Sequence, residues 1–172
     1  MGKLDKSLKK LDKMSITEFS KLLRNAMASN FEEVMNVLSQ NKDKIGQFFV
    51  SRIPETDIGE IGVFLYTLHI ANRDVFVYLV DLLGKYRDQI ISKLETARVS
   101  KIAEFLSGIS FAENIAKFVD PIIDTVQKQV KKYSIREIGE LITYLSIAEK
   151  NFASNILSRI ISDVESALLD SL

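Results

Sequence analysis

The side chains able to do chemistry are few. The chain has no cysteine and one histidine, His69. Disulfides, thiolate nucleophiles, zinc-finger frameworks and cysteine-ligated clusters are thereby removed, and a multi-histidine metal site cannot be built. His69 is the single candidate for imidazole acid–base chemistry, with Tyr66, Arg73 and Asp74 near it in sequence. A general base needs an orienting partner and a substrate pocket, and the sequence supplies neither. An ordinary surface or packing histidine is the expected role. The recurring acids Glu18, Glu60 and Glu137 each follow Ser15, Asp57 or Ser134 by three residues. That is the spacing of a helix capping box, in which each partner satisfies an otherwise unpaired backbone N–H. Gly59 and Gly62 do not complete G-x-G-x-x-G, and no G-x-x-x-x-G-K-[ST] occurs. No catalytic, cofactor-binding or metal-binding residue is assigned, and the expectation is a protein that is not an enzyme and carries no cofactor.

The remaining candidates are binding surfaces. Lys128, Lys131, Lys132 and Arg136 form the densest basic cluster in the body of the chain. It is suited either to an acidic partner or phosphates, or to a solvated helix end with favourable C-terminal charge. Val63, Tyr66 and Ile70 share helical spacing with one another beside His69, and read as packing or as a partner surface. At the start, Leu4, Leu8 and Leu11 fall on one side of a basic segment, residues 1–14. There five lysines against Asp5 and Asp12 give +3 and leave −3 for the rest of a chain whose formal charge is zero. Such a segment reads either as a capping or frayed first helix or as one that docks on an acidic membrane or partner. Zero net charge argues against a strong basic field and hence against a dedicated nucleic-acid binder. Lys6 stands where a myristoylation signal wants Ser or Thr.

The elements that must hold these residues repeat. Four segments align without gaps: Ile16 to Ala26, Ile58 to Leu68, Val99 to Ile109 and Ile135 to Leu145, with starts 42, 41 and 36 residues apart. The first column is Ile16, Ile58, Val99 and Ile135, and the fourth is Phe19, Ile61, Ile102 and Ile138. A small residue follows in each copy: Ser20, Gly62, Ala103 and Gly139. Then come Leu22, Phe64, Phe105 and Leu141, followed by Leu23, Leu65, Leu106 and Ile142. The last column is Ala26, Leu68, Ile109 and Leu145. These spacings fit one broad helical face, and the small residue lets another helix come close.

After each first helix the pattern pauses, near Ser29-Asn30, Ala71-Asn72, Ala112-Glu113 and Ala148-Glu149, and resumes as a second helix. Those second helices carry Val34, Val37 and Leu38; Val75, Leu79, Leu82, Leu83 and Tyr86; Val119, Ile122, Ile123 and Val126; and Ile156, Ile160, Ile161 and Val164. The run Val75 to Val80 has strand-like residues, but its continuation through Tyr86 keeps a helical period and predicts a helix buried on more than one side. Seven glycines and two prolines leave little turn punctuation in 172 residues. Pro54 marks a boundary, whereas Pro121 either kinks the third second helix or starts a new one with Asp120 as N-cap.

Helix pairs recurring at about 40 residues resemble HEAT and armadillo-like repeats over roughly Ser15 to Val164. The resemblance is architectural: the tetratricopeptide pattern and the recurrent Pro, Asp and Arg of HEAT units are absent. Repeats such as Ile58 to Leu68 also look like helical modules attached to prokaryotic regulatory proteins, and no functional residue transfers from that likeness. The resemblance implies an all-α fold of four antiparallel helix pairs, about 15–53, 57–97, 98–133 and 134–172, stacked as a short right-handed array in one domain, 15–172. A compact multi-helix bundle is the alternative. The expected function is a non-enzymatic protein–protein interaction module or adaptor. The alternative is a self-associating bundle docking on nucleic acid or an acidic membrane through its basic segments. The start has no signal-peptide core and no run approaches a membrane span, so a cytoplasmic, soluble protein is expected.

Overall fold

The structure, a computed structural model, describes residues 2–113 and 116–172, with backbone alone at 116–119. The side chain of Val119 and all of Met1 lie outside the described residues. Among the described residues there is no strand. A short helix α1 (Lys3–Leu8) leads into α2 (Ile16–Ser29), α3 (Phe31–Gln40) and α4 (Lys42–Arg52). Next come α5 (Ile58–Ala71), α6 (Arg73–Leu83) and α7 (Arg87–Thr96), then α8 (Val99–Ile109) and α9 (Ala116–Val130), and last α10 (Ile135–Ser146) and α11 (Lys150–Asp170).

The four aligned segments become α2, α5, α8 and α10. Their starts are fixed as the sequence predicts in three copies. At α2 the box is reciprocal, with Glu18 N–H donating to Ser15 Oγ at 3.1 Å and Ser15 N–H to Glu18 Oε2 at 2.8 Å. Glu60 N–H donates to Asp57 Oδ1 at 3.0 Å and Glu137 N–H to Ser134 Oγ at 3.2 Å. Arg98 offers no side-chain cap to α8. A second set of caps recurs at the pauses. Asn30, Asn72 and Glu149 accept from the N–H groups of Glu33, Val75 and Phe152 at the starts of α3, α6 and α11.

Two helices per unit hold in the last two units; the first two divide their second helix. Asn41 separates α3 from α4, its Nδ2 donating to Val37 O at 2.8 Å. A tight turn over Gly84–Tyr86 separates α6 from α7. The Val75 to Val80 run is helical, with Val75, Phe76, Leu79, Val80 and Leu83 buried. Pro54 sits in the turn that ends α4. Pro121 lies inside α9 and does not begin a new helix there.

Packing is serial. The closest helix partners run α2 with α5, α5 with α8 and α8 with α10 in one layer. In the other layer α4 packs on α6, α7 on α9 and α9 on α11. Polar links join adjacent units at about the same sequence interval. Arg73 pairs with Glu113 at 2.9 Å, Arg159 with Asp120 at 2.7 Å, and Tyr144 Oη donates to Glu104 Oε1 at 2.9 Å. The core lies between the layers and is rich in phenylalanine: Phe19, Phe49, Phe64, Phe76 and Phe105 are fully buried. No described helix is long and apolar enough to cross a membrane.

Candidate functional site

His69 sits near the end of α5 in an aromatic cluster. Its ring stacks on Phe111 at 4.1 Å and 13°, and meets Phe76 edge-on at 5.3 Å. Tyr66 touches the same Phe111 ring at 6.0 Å. His69 Nδ1 is buried with no hydrogen-bond partner among the described residues. Burial, with the nearby charge of Arg73, holds its pKa below 6.5, so the ring is neutral at pH 7. A neutral imidazole packed between aromatic rings with no carboxylate on Nδ1 lacks the orienting partner that a general base uses. Of the stripe beside it, Val63 and Tyr66 are half-buried and Ile70 is exposed. The structure therefore brings Tyr66 and His69 together through Phe111 and leaves Ile70 at the surface.

The basic cluster is a surface of mixed charge. Lys131 pairs with Asp163 at 3.5 Å, and Arg136 pairs with Glu140 at 3.6 Å. Lys128 and Lys131 line an open groove together with Asp124 and Asp163. Lys132 is exposed. Neighbouring Tyr133 is half-buried and donates to Gln129 Oε1 at 3.0 Å. Its burial and the charge of Glu137 push its pKa up to about 12. No described group of three acids or histidines could hold a metal ion.

The basic start is committed to the core. Leu4, Leu8 and Leu11 are buried, and α1 packs on α2 and α3. Lys44 Nζ donates to Leu8 O at 2.7 Å, and Arg52 Nε to Met14 O at 3.0 Å, tying the segment down. The capping reading of residues 1–14 is the one this packing matches.

One surface was missed by the sequence reading, although its residues stand in the aligned columns. Each helix of the first layer has one edge toward the helix before it and one toward the helix after it. Gly62 shows which edge is which: a Cβ there would lie 2.5 Å from Phe105 Cα and 2.7 Å from the Glu104 carbonyl carbon, both on the following helix. The forward edge is thus the stripe of the first column, the small residue and the column three beyond it. On α2 it is Ile16, Ser20 and Leu23, on α5 Ile58, Gly62 and Leu65, and on α8 Val99, Ala103 and Leu106. All nine are buried.

On α10 the same stripe is open. Ile135 is 55% exposed and Ile142 46%, and a Cβ on Gly139 would meet nothing within 4 Å. The second helix of that unit, α11, also leaves Ile161, Leu168 and Leu169 exposed. At the opposite end α1 packs beside α2 and α3. Leu22 and Asn25, equivalent to Phe105 and Gly108, line a groove with Leu4, Leu22 being half-buried and Asn25 exposed.

In comparisons with protein families, with curated proteins and with solved structures, the chain finds no match.

Proposed function

We propose that the protein is a non-enzymatic helical-repeat interaction module, HEAT- or armadillo-like in layout, that binds a protein partner through the forward edge of α10. The observation behind this reading is the exposure of Ile135 and Ile142 in columns that are buried in the three preceding units. In those units the occupant of the edge is an α-helix, so the matching ligand is an apolar helical surface able to approach Gly139 closely. The residue inventory argues the same way: the one imidazole is packed between aromatic rings, and the basic cluster is half neutralised by its own acids. Membrane docking through residues 1–14 would require Leu4, Leu8 and Leu11 to leave the core.

The test places a photo-cross-linking residue at Ile142, or at Lys128 as a comparison, in the full chain. Adducts formed in native extract are then digested with protease or nuclease. A protein adduct at position 142 that disappears on Ile135→Glu supports the reading. An adduct confined to position 128, nuclease-sensitive and lost steeply with salt, overturns it in favour of nucleic acid.

A further inference from the structure

We draw no further inference here: the strongest candidate, the groove between α1 and α2 lined by Leu4, Leu22, Ala26 and Val34, carries none because nothing in the structure shows what covers it.

Discussion

Adding one methyl group to the small-residue column should have opposite effects at its second and fourth members. In Gly62→Ala the new Cβ lies 2.5 Å from Phe105 Cα and 2.7 Å from the Glu104 carbonyl carbon, whereas ordinary contacts begin at 3.4 Å. Both atoms are backbone, so no side-chain rotation relieves the clash. The helices α5 and α8 must separate by about 1 Å across a close-packed contact. Overpacking of this kind typically costs about 1–3 kcal/mol, and the better helix propensity of alanine returns about 1 kcal/mol. A backbone clash belongs at the upper end, giving a net loss of about 2 kcal/mol. In Gly139→Ala the methyl enters open space, and the helix-propensity gain of about 0.5–1 kcal/mol remains. The assay is urea unfolding, read as a change of midpoint at unchanged slope. Equal shifts of the same sign at both positions would refute the reasoning, because they would mean that Gly62 and Gly139 have the same surroundings.

Three further outcomes follow from the packing. Leu8→Ala should cost about 2–4 kcal/mol in unfolding experiments, the range for a buried leucine, whereas a membrane-facing Leu8 would cost nothing in the absence of lipid. Asn72 is buried, caps α6, and donates to Met35 O and Ser39 Oγ, both at 2.8 Å. Asn72→Ala should therefore lose about 2–3 kcal/mol, against about 1 kcal/mol for Asn30→Ala, whose cap is exposed. His69 has a folded-state pKa below 6.5, so the unfolded chain takes up its proton first as pH falls. Its contribution to stability is complete above about pH 6.5 and is lost as pH falls through the lower folded value. The urea midpoint of His69→Gln should accordingly fall less than that of wild type between about pH 8 and pH 5.5; an equal fall would remove the imidazole from the account.

Much of the fold can be read in the sequence because burial repeats. The columns beginning at Ile16, Ile58, Val99 and Ile135 mark four real helices, and their capping residues mark three of the four starts. What periodicity cannot give is the neighbour of each face. Ile135 and Ile142 carry the same residue types as Ile58 and Leu65, so their exposure is invisible until the order of packing is known. The division of α3 from α4 escapes for a related reason: Val37, Leu38, Ile45 and Phe48 are all buried, and the apolar pattern continues across Asn41. Leu4, Leu8 and Leu11 were legible as an apolar side of a basic segment, but core and membrane ask for the same stripe. The stacking of His69 on Phe111 joins residues of different units, and no local pattern announces it.

The forward edge of the first layer is covered three times and open once. Thiol reactivity tests it directly, since a single introduced cysteine is the only thiol in the molecule. Val99→Cys and Ile135→Cys occupy the same column, at 4% and 55% exposure. The measurement is their rate of modification by a thiol reagent in the folded full chain. Position 135 should react nearly as fast as an unfolded thiol, and position 99 only through local opening, slower by about two orders of magnitude or more. Equal protection at the two positions would contradict the serial arrangement, because it would mean that the fourth helix has a covering neighbour within the same chain.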